Sequence, residues 1–188
     1  MGRVFADSNV LFPFSVMDLL LALSEDHVHE VIWTDELLDE WERVIVREHK
    51  RSRMSAAQIT SVVREFFADS KVERDLYEHL IEEMPGKDPD DHVHMAAAVA
   101  CQPCTILTNN AKDFPPRSLA KRGVQVADPD TYLCEIAHEL PDEVVDTLVR
   151  LAAEKTRPPK TAHDLMDDLE HAGVPRFAEM VRPLLPPS

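Results

Sequence analysis

Short apolar runs alternate along the chain with segments whose apolar residues recur at helical spacing. Arg3 to Ala6 reads as a strand ending in Asp7, and Ser15 to Leu23 as a helix. Val28 to Trp33 is a second strand. Thr34 is placed to cap a helix running to about His49, with Asp35 and Glu36 in its first turn. Ser55 and Gln58 match a capping box that opens a helix to about Phe67. Arg74 to Met84 has a helical pattern, and Pro85 to Pro89 is a turn. An alanine-rich helix over Asp90 to Ala100 then leads into a buried strand, Thr105 to Thr108. Pro116 to Arg122 predicts a short helix closed by Gly123, and Gln125 to Ala127 a last strand. Strands alternating with helices imply an α/β domain around a mostly parallel sheet.

The pattern changes at Pro129. Helical segments follow over Asp130 to Glu139, Asp142 to Ala153 and Thr161 to Ala172, with a short one after Pro175 and a break at Pro158-Pro159. The expected organisation is therefore an α/β domain over residues 1–128 and a helical C-terminal extension over residues 129–188. The bland role for the extension is packing on the domain through its apolar face; the functional one is a surface for a partner or substrate.

The chain has 188 residues, 44% of them hydrophobic, enough for a sizeable core. Its longest apolar run, near Met17 to Leu23, is interrupted by Asp18 and is too short to span a bilayer. The opening residues pattern as a strand, so no signal peptide and no membrane are expected. Three cysteines are too few for a disulfide framework, and a reducing cytoplasm is the simplest reading. Cys101 and Cys104 have redox spacing, yet they close a helix instead of opening one, which argues against a low-pKa thiol. With only four glycines there is no phosphate-cradling glycine-rich loop.

A net charge of −15 argues against a general nucleic-acid coating protein but not against a nuclease whose metal meets the phosphate. Two basic clusters stand out, Arg43 to Arg53 (including Arg47 and Lys50) and Lys112 to Arg122. Read alone, each is a solvated face. Beside acidic residues they become candidate phosphate contacts, with Arg43, Arg47 and Lys112 the residues placed for it.

Four acidic residues carry the candidate chemistry. Asp7 ends the first strand in Asp7-Ser8-Asn9-Val10, and Glu40 lies in the second turn of an early helix. Asp91 lies in the first turn of the alanine-rich helix, and Asp113 follows a strand in Thr108-Asn109-Asn110-Ala111-Lys112-Asp113-Phe114. In an open parallel sheet, strand ends and early helix turns share one rim, where ligands bind. Several hard oxygens gathered there need a divalent cation to offset their repulsion, which points to Mg²⁺- or Mn²⁺-dependent phosphodiester chemistry. Each residue also has a plain structural reading. Asp7 can be a turn residue, Glu40 a solvated helix carboxylate, Asp91 an N-terminal helix charge and Asp113 a cap. His92 and His94 are available as ligands, although neutral surface histidines are commoner.

These phrases, in this order and spacing over roughly residues 1–130, resemble the PIN-domain ribonucleases. Within them they resemble the VapC-type toxins of toxin–antitoxin pairs. The stretches Arg157 to Thr161 and Gly173 to Phe177 are similar to a helical extension found in a subset of these toxins. The resemblance implies a three-layer PIN-like fold and an endoribonuclease that hydrolyses RNA with a metal-activated water, leaving 5′-phosphate and 3′-hydroxyl ends. It implies Asp7, Glu40, Asp91 and Asp113 as catalytic residues, with Asp7 and Asp91 holding Mg²⁺ (or Mn²⁺). Asn9, Asn110 and Thr108 would orient ligands or substrate. A cognate antitoxin partner and a homodimer are also implied. One departure is Asn110, where many members carry Asp. It brings no charge and bears on a second metal more than on the first. The competing class is a PIN-fold module without catalysis, acting as an RNA- or protein-binding domain. A haloacid-dehalogenase-type phosphatase also begins with Asp at a strand end, but it wants a second Asp where Asn9 stands.

Overall fold

The computed structural model describes residues 2–48 and 51–187. Four strands form one parallel sheet: β1 (Gly2–Ala6), β2 (His29–Ile32), β3 (Cys104–Leu107) and β4 (Val124–Ala127), in the order β2-β1-β3-β4. Val4, Phe5 and Ala6 are all buried, as are Ile106 and Leu107, so side chains on both faces of the central strands are covered. That is the mark of a parallel sheet wrapped by helices, and it explains why these strands read as continuous apolar runs without alternation.

The chain passes from β1 to β2 on one side and later to β3 on the other, so β1 and β3 flank the point where strand order reverses. Register pairs Ala6 with Leu107. The Asp7 N–H donates to the Leu107 carbonyl at 2.9 Å, and the Thr108 N–H to the Ala127 carbonyl at 3.1 Å. The ladder thus extends one residue past the strands and fixes Asp7 beside Thr108 at the rim where open sheets bind ligands.

Ten α-helices lie among the described residues: α1 (Ser8–Leu11), α2 (Phe14–Glu25), α3 (Asp35–Glu48), α4 (Arg53–Phe66), α5 (Pro89–Ala100), α6 (Pro116–Ala120), α7 (Pro129–Glu139), α8 (Pro141–Glu154), α9 (Ala162–His171) and α10 (Pro175–Val181). The expected end of α3 at His49, and Lys50 of the first basic cluster, lie outside the described residues. Thr34 caps α3 as its position predicts, its buried hydroxyl accepting from the Leu37 N–H at 3.1 Å. Since α3 carries Glu40, this cap anchors one side of the candidate site. Thr34→Ala is expected to cost about 1 kcal/mol, lowering the melting temperature by about 2–4 °C in a calorimetric scan.

Two local expectations are corrected. The capping box at Ser55 and Gln58 does not form. Ser52 is the cap, its hydroxyl accepting from the Ser55 N–H at 3.1 Å, and Ser55 already lies inside the first turn. Arg74 to Met84 is not an α-helix but two 3₁₀ segments, Arg74–Leu76 and Glu78–Glu83. Between them Tyr77 turns inward, fully buried, and its hydroxyl donates to Glu36 at 2.6 Å. That tertiary bond breaks the α pattern.

The C-terminal helices bury an apolar face, with Leu148, Met166, Leu169 and Phe177 in the core. Polar contacts tie them to the sheet side. The Arg150 guanidinium reaches Glu25 and Asp26, each at 3.0 Å, and Thr147 donates to Asp26 at 2.7 Å. Tyr132 meets Nδ1 of the buried His29 at 3.0 Å, and the other ring nitrogen lies 2.8 Å from the Leu20 carbonyl. With Nε2 protonated against that carbonyl, the Tyr132 hydroxyl is the donor to Nδ1, and burial lowers the His29 pKa to about 4, keeping it neutral. Asp130, also buried, accepts from the N–H groups of Phe177 (2.8 Å) and Arg176 (3.2 Å), satisfying the start of α10. No helix among the described residues is long and apolar enough to cross a membrane.

Candidate active site

The rim past β1 and β3 holds a connected polar network. Asp7 is 6% exposed. Its Oδ2 accepts from the Thr108 hydroxyl at 2.8 Å and from the Asn9 amide, so two of the three residues expected to orient ligands are hydrogen-bonded to Asp7. Asn9 is itself held, its side-chain oxygen accepting from the Asn109 N–H at 3.1 Å. The Thr108 hydroxyl also accepts from the Asn110 N–H at 3.0 Å, and the Asn110 amide donates to Asp113. A continuous chain of hydrogen bonds therefore runs from Asp113 through Asn110 and Thr108 to Asp7. Asp113 does not cap the following helix, since Pro115 occupies that position.

On the other side, Ser8 donates to Glu40, whose second oxygen lies 2.9 Å from Nε2 of His94. His94 is 3% exposed, which corrects its reading as a surface histidine. The sequence does hold a signal for it: His94 is three residues after Asp91 on α5, and that spacing puts both on one helix face. Among the described residues, the hydrogen-bond partner of His92 is the Gly86 carbonyl, at 3.4 Å. Sequence reasoning misses Ser8, because the Asp-Ser-Asn phrase does not show which small residue turns toward α3.

Burial and charge set the electrostatics. Burial raises the Asp7 pKa, with the Thr108 hydrogen bond opposing. The His94 hydrogen bond holds Glu40 below the usual carboxylate range. Asp91 is pushed up to about 6, first by burial and then by the charges of Asp88, Asp7 and Asp113. Asp91 accepts no hydrogen bond among the described residues, and so its charge has no local donor to offset it. The four acids thus share one electrostatic neighbourhood. Ser8, Asn9, Glu40, Asp91 and His94 line a groove of about 740 Å³, with Arg43 and Arg47 on its α3 wall. Lys112 is exposed on the turn after β3 and lies outside that groove.

Among the described residues no three acidic, histidine or cysteine side chains already form a metal cage. The donor set fits a hard cation of the Mg²⁺ type, which takes one or two carboxylates and keeps several waters. Asp7 and Asp91 are the two that would offer a divalent ion mutually repelling oxygen donors. Glu40 and Asp113 are held by hydrogen bonds of their own. The cysteines offer no competing chemistry: all three are free, and burial pushes Cys104 up to about 12 and raises Cys101, leaving inert thiols.

Residues 3–112 match the PIN domain family, and residues 129–183 match the family described as "VapC50 C-terminal domain". The chain is 32% identical over 110 residues to "Putative ribonuclease VapC50" of Mycobacterium tuberculosis. That alignment covers 58% of this chain and 64% of the relative, so the match spans under two thirds of the relative's length. No solved structure gives a significant match.

Proposed function

Because this chain belongs to the PIN-domain family, we propose that it is a metal-dependent endoribonuclease, the toxin of a type II toxin–antitoxin pair. The observation that carries the proposal is the set of carboxylates at the sheet rim, with Asp91 held at about 6 by burial and by its acidic neighbours. A rim that gathers four carboxylates, with Asp91 lacking a hydrogen-bond donor among the described residues, suits a divalent cation. Asp7 and Asp91 would hold Mg²⁺ or Mn²⁺, which when bound neutralises charge on the scissile phosphate and lowers the pKa of water.

The chain's own residues supply the rest. Thr108 and Asn9 fix the Asp7 carboxylate in one orientation. Glu40 stays ionised through its bond to His94 and can accept a proton from an attacking water in the groove. Asp113, positioned by Asn110, adds the fourth carboxylate. Arg43 and Arg47 offer guanidinium groups to phosphates along the groove wall. The division into a nuclease domain over 1–128 and a helical extension over 129–188 belongs to the same reading. So do a cytoplasmic setting, a homodimer and an antitoxin that covers the acidic groove with basic side chains.

His94 acts here by holding Glu40. His94→Ala is expected to slow cleavage about tenfold with little change in KM, because Glu40 loses its orientation while substrate contacts remain. Steady-state kinetics on a labelled RNA checks this, and His94→Gln, which keeps a donor, is expected to recover part of the rate. The overall proposal is tested by incubating the purified chain with total bacterial RNA, with and without Mg²⁺ or Mn²⁺. Discrete metal-dependent fragments support it. RNA left intact under every condition would favour the non-catalytic binding module.

A further inference from the structure

We infer that the RNA strand leaves the acidic groove by crossing α3 and lies in a second groove between α3 and α4, where Arg53 binds its backbone phosphate. The inference rests on the ribonuclease reading and adds to it a second binding site. The second groove has a volume of about 700 Å³ and draws its lining from both helices. Glu36, Arg43 and Arg47 line this groove and the carboxylate groove alike, so the two meet along the exposed edge of α3. Arg43 and Arg47 stand one helical turn apart on that edge, about 6 Å between their Cβ atoms.

Charge decides the occupant. Three acids line the second groove, and each is drawn to a cation other than these arginines. Glu36 pairs with Arg74, and Asp39 pairs with Arg64 at 3.0 Å. Glu42 lies 3.8 Å from Arg64 and also accepts from the Thr60 hydroxyl. Arg43 and Arg53 have neither an ion pair nor a hydrogen bond among the described residues. Arg47 pairs at 2.6 Å with Glu48, in an exposed contact of the kind that contributes little and can yield to a stronger anion. The groove therefore presents guanidinium groups to an external polyanion. No aromatic side chain lines it, so bases have nothing to stack on. The ligand chemistry is the phosphate backbone of a single strand, bound without regard to sequence.

Fluorescence anisotropy with a labelled single-stranded RNA of about twelve nucleotides, and one of about four, tests this on the full chain. Binding is measured in EDTA across a salt series, where no cleavage is expected, and KM and kcat are measured with Mg²⁺ on the longer strand. Arg53 is exposed and lines only the second groove, so Arg53→Gln reports on the track alone. It is expected to weaken the longer strand about threefold to tenfold and reduce the slope of log K against log salt by about 0.7, one phosphate contact. KM should rise with kcat unchanged, the short strand should be unaffected, and Arg53→Lys should restore the slope. If Arg53→Gln leaves the affinity and slope for the longer strand unchanged while the wild type cleaves, the track is overturned and the nuclease stands. Binding of an acidic peptide alone in that groove would overturn the track equally. If the wild type neither binds nor cuts RNA, both readings fall together.

Discussion

Asp7→Asn is expected to reduce RNA cleavage about a thousandfold or more while the protein keeps its fold. The substitution is nearly isosteric and keeps one oxygen to accept from Thr108. What it removes is the negative charge that would hold a cation at the end of β1. Stability should not suffer. Burial raises the Asp7 pKa, so the folded protein already disfavours the charged form, and a neutral amide relieves that cost. The Asn9 amide loses a charged partner, a smaller effect at a half-open rim. Single-turnover cleavage of a labelled RNA, paired with thermal unfolding, separates the two effects. A variant that is inactive because it is unfolded would contradict this expectation, as would a folded variant with full activity.

Asp91→Asn is expected to abolish the response to Mg²⁺ and, without metal, to stabilise the protein above pH 6. The Asp91 pKa rises from its ordinary value of 3.8 to about 6 in the folded state. Folding therefore favours the protonated form. The stability this contributes is complete below about pH 3.8 and is lost as pH rises through about 6. Asp91 is only part-buried, and after allowance for solvent screening the charged form costs about 1 kcal/mol at neutral pH, or about 2–4 °C. The amide escapes that loss. In the wild type a bound cation offsets the same repulsion: at ten times its Kd, Mg²⁺ adds about 1.4 kcal/mol, about 3–6 °C. Melting curves across pH 5 to 8, with and without Mg²⁺, should show a Mg²⁺ shift in the wild type that the variant lacks, and a smaller loss of stability with rising pH in the variant. Equal Mg²⁺ shifts in both proteins would place the cation elsewhere.

Much of the fold is legible in the sequence because the four strands are short apolar runs and the long helices carry their own caps. Thr34 and Thr161 announce helix starts that the structure contains; α6 ends at Ala120, two residues short of the expected Arg122, and Gly123, at φ +77°, closes the turn after it, where a side chain would be strained. The failures have separate causes. At Ser55 a correct local rule lost to Ser52 one turn earlier, because caps compete and sequence does not rank them. At Tyr77 burial and a hydrogen bond to Glu36, forty-one residues away, overrode a helical pattern. The site shows the same limit. Its acids can be named in order from the sequence, and the parallel sheet supplies a reason for them to converge. The partners that hold them are tertiary. Nothing local shows that Ser8 faces α3, that His94 is buried against Glu40, or that Lys112 stays outside the groove.

The most direct test of the central claim maps the ends of RNA cut by the wild-type chain in Mg²⁺, against the same reaction in EDTA and with Asp7→Asn. The account predicts discrete cuts bearing 5′-phosphate and 3′-hydroxyl ends, present only for the wild type with the cation. Cleavage that persists in EDTA, survives Asp7→Asn or leaves 2′,3′-cyclic phosphates would contradict a cation held by Asp7 and Asp91.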